Sequence, residues 1–177
     1  MLFAAAGSAT GEESDFDKLL KRNAEMVYKL AFARCGNEAD ADDIFQQVFL
    51  RYLTRKPNFA SDEHEKAWFI RATINRSKSL WDSAFRRHTQ PLEEAPLADP
   101  TNPFEAHESR ADLAAALAQL PADYRTLIHL FYYEDMSTAD IANALKLKEG
   151  NVRMLLTRAR RELKKILEGE DCFEKRV

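Results

Sequence analysis

Glycine is scarce in this chain, five residues in 177. Together with few β-branched runs, that scarcity argues against a sheet-rich fold. Cysteine is scarcer still, with only Cys35 and Cys172. Two thiols cannot build a zinc site and do not suggest a disulfide framework. Cys35 closes an apolar helical pattern and reads as a small core residue. No apolar run approaches the ~20 residues that span a bilayer. Met1–Thr10 has a short apolar piece without a basic segment before it, so it reads as a flexible tail. No membrane insertion is therefore expected, and the expected location is the cytoplasm. Catalytic signatures are missing too: there is no Walker-type glycine loop and no nucleophile elbow. His64 sits among Asp62, Glu63 and Glu65, but without HExxH spacing this is a solvated acidic loop rather than a metal site. His88, His107 and His129 have no neighbouring constellation. No catalytic residue, metal or cofactor is assigned, and the chain is read as non-enzymatic.

What the chain does have is enough apolar content for packed cores, 45%, and a charged fraction of 31% that suits helices. The net charge of −3 would not by itself suggest nucleic acid. Its distribution does. Residues 66–87 carry six Lys/Arg against one acid, Asp82, and residues 146–165 carry eight against two, Glu149 and Glu162. The acids gather in Glu38–Asp43 and Glu93–Glu108. One basic stretch is commonly just a solvated helix face. Two on helical segments are the footprint of a phosphate-binding surface.

The periodicity predicts an all-α protein. Ser14 with Asp17 is a capping-box pattern, followed by Phe16, Leu19, Leu20, Val27, Leu30 and Ala31 at helical spacing and stopped by Gly36-Asn37. A second helix is expected from about Glu38 to Thr54, with Ala41, Ile44, Phe45, Val48 and Tyr52 inward. Asn58–Glu65 reads as a polar loop. The third helix, about Glu65 to Arg87, has two faces: Ala67, Ile70, Ile74, Ser77, Trp81 and Ala84 on the core side, and Trp68, Arg71, Asn75, Lys78 or Ser79, and Arg86 on the other. From His88 the pattern disappears into an acidic stretch with Pro91, Pro96, Pro100 and Pro103. At ~20 residues it is longer than connections inside compact domains usually are. The chain thus divides into a tail (1–13), a helical domain (14–87), a flexible acidic linker (88–109), a second helical domain (110–168) and a C-terminal tail (169–177).

In the second domain, Leu113, Ala114, Leu117 and Leu120 mark one helix, and Tyr124, Leu127, Ile128 and Phe131 the next. Ser137 with Asp140 is another capping-box pattern, opening a short helix with Ile141, Ala142 and Leu145 inward. A tight connection, Lys146–Lys148, leads to a longer helix from about Glu149 to Leu167 with Val152, Leu156, Ala159, Leu163 and Ile166 inward. Short capped helix, tight turn and long basic helix is the plan of a helix-turn-helix, whose second helix enters the major groove. Those inward positions leave Glu149, Asn151, Arg153, Met154, Thr157 and Arg158 for the groove. Arg suits guanine, Asn suits adenine and Thr can approach a thymine methyl. Arg160, Arg161, Lys164 and Lys165 lie later, toward phosphates or solvent.

The stretch LPADYRTLIHLFYYEDMSTADIANALKLKEGNVRMLLTRARRELKKIL (120–167) resembles region 4 of the sigma-70 family. DADDIFQQVFLRYL (40–53) and KAWFIRATINRSKSLWD (66–82) resemble region 2. With a short linker between them, the chain resembles the minimal two-domain extracytoplasmic-function (ECF) sigma factors. That resemblance implies that the helix over Asp40–Leu53 docks on the clamp helices of the largest subunit of bacterial RNA polymerase core, through Asp43, Gln46, Gln47, Leu50 and Arg51. It implies that the third helix and the loop before it capture the non-template strand of the −10 element. Trp68 would stack at the duplex edge, Asn75 read a base, and Arg71, Arg76 and Lys78 hold phosphates, with Phe59 in the pocket for an extruded base. The groove-facing residues of the last helix would bind the −35 element. Family members commonly have Gly where this chain has Lys146, so Lys146 either adopts a left-handed conformation or changes the turn. Met154 and Leu155 replace small polar and Arg residues, leaving fewer hydrogen-bonding groups for the groove. Many relatives are held by an anti-sigma factor, which the resemblance raises as a further partner beside polymerase and promoter DNA.

Two other readings stay open on the residues alone. One is a stand-alone helix-turn-helix regulator, which would bind a palindromic duplex tightly without polymerase. The other is a helical adaptor that never touches DNA and would be indifferent to loss of Arg153 and Arg158.

Overall fold

The computed structural model describes residues 14–87 and 108–169, with side chains described over 14–79 and 112–169. The expected N-terminal tail, nearly all of the linker, residues 170–177 and the side chains of Trp81, Ala84 and Arg86 lie outside the described residues. Those residues form seven helices and no strand: α1 (Asp15–Cys35), α2 (Glu38–Arg55), α3 (Asp62–Arg87), α4 (Glu108–Gln119), α5 (Ala122–Tyr132), α6 (Thr138–Leu145) and α7 (Glu149–Glu168).

Local chemistry sets most of their ends. Both expected capping boxes form: the Ser14 hydroxyl accepts from the Asp17 amide while Asp17 accepts from the Ser14 amide, and Ser137 and Asp140 do the same for α6. Each satisfies amide groups that a helix start would otherwise leave unpaired. Gly36 closes α1 in the left-handed region at φ 77°. Asn37 then caps α2, its side-chain oxygen accepting from the Asp40 amide at 2.8 Å. One boundary differs from the sequence expectation. The loop is shorter than 58–65 because α3 starts at Asp62, where Asp62, Glu63 and Glu65 in the first turn favour the positive end of the helix dipole.

Leu19, Met26, Val27, Leu30 and Ala31 of α1 meet Ala41, Ile44, Val48 and Phe49 of α2 and Phe69, Ile70 and Ile74 of α3. Phe69 and Thr73, which lie on neither expected stripe of α3, are fully buried. With helices packed on more than one side, α3 has a core face wider than a single stripe. Glu65 is also buried, accepting from Arg22 Nη2 at 2.9 Å and Asn23 Nδ2 at 2.6 Å, and so ties α3 to α1.

In the C-terminal half, Leu120, Ile128 and Ala159 form a small cluster with Leu117, Tyr124, Leu163 and Ile166. Ala116 takes the buried position expected of Ala114, which is exposed. The two halves do not stand apart. Helix α5 packs on α1, and α6 packs on α3. Leu127, Leu130, Ile141, Ala144, Val152 and Leu156 belong to one continuous apolar cluster with the N-terminal core. Fully burying each large aliphatic side chain contributes ~1.5–3 kcal/mol, so this shared core holds the halves together.

Candidate nucleic-acid interface

The helix-turn-helix is built as its residues predict. The short helix α6 ends at Lys146, which adopts the left-handed conformation at φ 58°, ψ 42°. Its amide and that of Leu147 bond back to α6, the latter donating to the Ala142 carbonyl at 2.9 Å. The turn therefore keeps its form without glycine. Val152, Leu156 and Ala159 are buried, and this fixes the rotation of α7. Asn151, Arg153, Met154, Thr157 and Arg158 are exposed along the opposite face.

Three of the expected groove residues, Glu149, Arg153 and Thr157, already make side-chain hydrogen bonds within the protein. Glu149 Oε1 accepts from Thr138 Oγ1 at 2.8 Å, across the turn, and from Arg153 Nη2 at 2.5 Å. These two donors hold the Glu149 carboxyl below the usual carboxylate range, Thr138 most of all. Thr157 turns its hydroxyl back to the Arg153 carbonyl at 2.9 Å, leaving its methyl as the outward group. Leu155 is half-buried against the core, so of the two apolar departures only Met154, 45% exposed, lies on the open face. Arg160, expected over phosphates or solvent, sits over the Phe131 and Tyr132 rings at 5.2 and 5.5 Å.

On α3 the picture differs. Trp68 is half-buried in an aromatic cluster, edge-on to Tyr52 at 6.2 Å, to Phe69 at 5.0 Å and to Phe59 at 6.0 Å. Phe59 itself stacks on Tyr52 at 6.3 Å and meets His64 edge-on at 5.7 Å. The structure thus brings Phe59 and Trp68 together, with the loop folded on the helix. Asn75 and Lys78 are exposed. Arg71 is half-buried and donates from Nη1 to the Ala144 carbonyl of α6 at 2.8 Å. Arg76 pairs with Asp43 of α2 at 3.0 Å. That pair joins an expected phosphate contact to an expected polymerase contact, so neither ion is free.

The remaining α2 candidates, Gln46, Gln47, Leu50 and Arg51, are exposed on one stripe. Leu53, 44% exposed and one turn beyond Leu50 at 53%, extends the apolar patch. The i+3 spacing could have found it.

The largest omission from the sequence reading is a pair of arginines. Arg34, only 4% exposed, lies in the last turn of α1 on the same stripe as Val27, Leu30 and Ala31. Its Nε donates to Ser77 Oγ at 2.6 Å, and its Nη1 donates to Thr126 Oγ1 and reaches Asp123 Oδ1 at 3.3 Å. Burial pushes its pKa down, against the pull of Asp123. Arg125 of α5 answers in reverse, donating to the Arg34 carbonyl at 2.6 Å and to the Leu120 carbonyl at 3.0 Å. A third cross-link pairs Lys66 of α3 with Glu134, after α5, at 3.3 Å, while His129 Nε2 lies 3.6 Å from the same carboxylate. His129 and then Lys66 hold the Glu134 carboxyl below its usual range, against burial.

Comparison with known proteins agrees with this architecture. Residues 19–87 match the model of sigma-70 region 2, and residues 110–163 match that of sigma-70 region 4. The chain is 30% identical over 168 residues to the ECF RNA polymerase sigma factor SigL of Mycobacterium tuberculosis, covering 92% of this chain and 94% of that protein. It is 33% identical over 172 residues to the ECF RNA polymerase sigma factor SigE of Mycolicibacterium smegmatis, covering 92% of this chain but 66% of the longer relative. Among solved structures, the sigma factor RpoE bound to the anti-sigma factor NepR from Bartonella quintana superposes with a TM-score of 0.75 at 21% identity, over 89% of this chain and 99% of that one. CnrH, in complex with the cytosolic domain of CnrY, superposes at 0.64 and 23% identity, over 91% and 92%. At those identities the two structures speak for the fold. No described helix is long and apolar enough to cross a membrane.

Proposed function

Because the chain belongs to the extracytoplasmic-function class of the sigma-70 family, we propose that it is a non-enzymatic, dissociable specificity subunit of bacterial RNA polymerase that acts in the cytoplasm. The proposal assigns residues 14–87 to core binding and −10 opening and residues 110–168 to the −35 duplex, with 88–109 as the linker between them. The observation that carries it is the open face of α7, with Asn151, Arg153 and Arg158 exposed behind a fixed left-handed turn. Arg153 is poised for a guanine edge, its guanidinium oriented by Glu149. Arg158 and Asn151 supply a second cation and an amide on the same face, and Met154 an apolar contact.

On α3, Trp68 offers one side of the aromatic cluster to an unstacked base, and Phe59 completes that surface. Base–aromatic stacking is worth ~1–3 kcal/mol per base, which offsets part of the few kcal/mol of unpairing. Asn75, Arg71, Arg76 and Lys78 supply the polar contacts. The stripe of Gln46, Gln47, Leu50 and Arg51, beside Asp43, is the surface for the clamp helices. Promoter DNA and core polymerase are its partners, and an anti-sigma protein is a further one.

The test is run-off transcription with core polymerase and this protein on genomic DNA fragments. Discrete promoter-specific transcripts that need the added chain are expected. An active core preparation that yields none would sink the proposal.

A further inference from the structure

One polar side chain close to Arg153, that of Thr138, has no part in the proposed function. Thr138 opens α6 directly after the Ser137–Asp140 capping box, which fixes the backbone there. Behind it Ile141, Ala142 and Ala144 are buried, so the start of α6 cannot shift without disturbing the core. From that fixed point the Thr138 hydroxyl donates across the turn to Glu149 Oε1 at 2.8 Å. The same oxygen accepts from Arg153 Nη2 at 2.5 Å, one turn further along α7. Three residues on two helices thus form one chain of hydrogen bonds, and it ends on the open face of α7.

We infer that Thr138 is a positioning residue for −35 specificity: its hydroxyl holds the Glu149 carboxylate, which in turn holds the Arg153 guanidinium in the orientation that reads guanine. The inference rests on the assignment of Arg153 to the −35 element.

A bidentate contact to guanine O6 and N7 requires the guanidinium to lie along the base edge, so orientation matters more than for a phosphate contact. An arginine held before docking loses less freedom on the right edge. To reach a wrong one it must give up its carboxylate partner. Glu149 by itself is a weak holder. Its side chain is 39% exposed, and its ion pair with Arg153 spans four residues of one helix, the kind that solvent leaves loose. Thr138 adds a donor from a second helix whose place is set by buried residues. In keeping with this, the Glu149 carboxyl is held below its usual range by Thr138 first and by Arg153 second. A hydroxyl suits the role because it adds no charge. Arg153 keeps its one anionic partner, and the guanidinium, with five N–H donors in all, has others left for a base.

The test uses the full chain with Thr138→Val, which keeps the branched shape and removes the hydroxyl, and Thr138→Ser, which keeps the hydroxyl. Run-off transcription with core polymerase is measured on a panel of single-base −35 variants joined to one fixed −10 element. Arg153→Ala identifies the position that Arg153 reads, as the one whose base preference disappears. There Thr138→Val should lower the preference for guanine roughly three- to tenfold, the range expected for loss of one hydrogen bond. Preferences at the other positions should not move, and Thr138→Ser should stay close to wild type. In the Arg153→Ala background Thr138→Val should add nothing at that position, since a relay acts only through its last member. Nitrogen-15 relaxation of the Arg153 Nε–H group reads the same relay without DNA. Its order parameter should fall in Thr138→Val and be kept in Thr138→Ser.

An unchanged guanine preference in Thr138→Val overturns the inference. So does an equal loss across all −35 variants, which marks a damaged helix-turn-helix rather than a misaimed arginine. An Arg153 order parameter indifferent to Thr138 overturns it as well. If the order parameter falls while Arg153→Ala leaves every −35 preference intact, the assignment of Arg153 to the −35 element fails, and the specificity role fails with it.

Discussion

Helices α3 and α7 both carry cations on the side turned from their own core, yet Arg71 is half-buried against the Ala144 carbonyl while Arg153 is exposed on an open face. The neighbours account for the difference. Helix α7 packs along one stripe, against α4, α5 and α6, and Asn151, Arg153, Met154, Thr157 and Arg158 are exposed on its other face. Helix α3 is packed by α1 and α2 on one side and by α6 on another. Similar charge patterns therefore describe an open surface in one case and a partly covered one in the other, where Arg71 is engaged while Asn75 and Lys78 stay exposed. Charge along a helix reports what it could bind, and packing decides how much of it is open.

The sharpest way to break this comparison is to ask whether the two helices share one fold. Leu156 of α7 is 1% exposed within the continuous cluster. Leu156→Ala should cost ~2–5 kcal/mol. Both tryptophans, Trp68 and Trp81, lie in the N-terminal half. In urea unfolding followed by tryptophan fluorescence, the transition should move to lower denaturant if the halves unfold together. A fluorescence transition that does not move would show them to be independent.

The next largest effects separate reading from holding. Arg153→Ala should lose ~1–3 kcal/mol of discrimination at one base pair of the −35 element, seen as relaxed preference across a panel of −35 variants. Lys78→Ala should weaken all promoters alike and reduce the salt slope of promoter binding by about one. Equal effects of the two changes on sequence preference would erase the distinction between α7 and α3.

A smaller effect concerns the turn that aims α7. Lys146 holds φ 58° with a side chain present. Removing its Cβ relieves a left-handed cost of ~1–2 kcal/mol against ~0.4–1 kcal/mol of added unfolded-state entropy. Lys146→Gly should thus stabilise the protein by about 0.5–1 kcal/mol, read as a higher urea midpoint. A lower midpoint would mean that the lysine side chain itself supports the turn.

The smallest effect is a pH dependence of the contact between the halves. The Glu134 carboxyl is held below its usual range by His129 and Lys66. Its contribution is therefore full above the ordinary carboxylate value of about 4.3 and lost as pH falls through the lowered folded value. The urea midpoints of wild type and Glu134→Gln should differ near neutrality and converge in acid. A difference that persists or grows in acid would contradict the assignment.

Much of this was legible before the structure. Ser14–Asp17 and Ser137–Asp140 announce helix starts because a hydroxyl and a carboxylate three residues apart satisfy each other's amides, a matter of one turn of chain. Val152, Leu156 and Ala159 fix the rotation of α7 because helical period alone puts them on one face. The start of α3 at Asp62 was less legible, since loop and first turn are both polar there. Leu155 was misplaced for a related reason. It borders the inward stripe, and only the width of the facing core decides whether such a residue packs.

The sequence by itself determined the all-helical order, the helix-turn-helix and the identity of the residues on its open face, because these follow from capping and period within about one turn. Only the tertiary structure decided that Arg76 answers Asp43, that Arg71 is taken by the Ala144 carbonyl, and that Arg34 bridges both halves. Those partners lie 33, 73 and up to 92 residues apart in the chain. No local rule pairs groups at such separations. They meet because two apolar surfaces, each incomplete alone, are buried against one another, and the charged groups at the seam must then find partners where the packing leaves them.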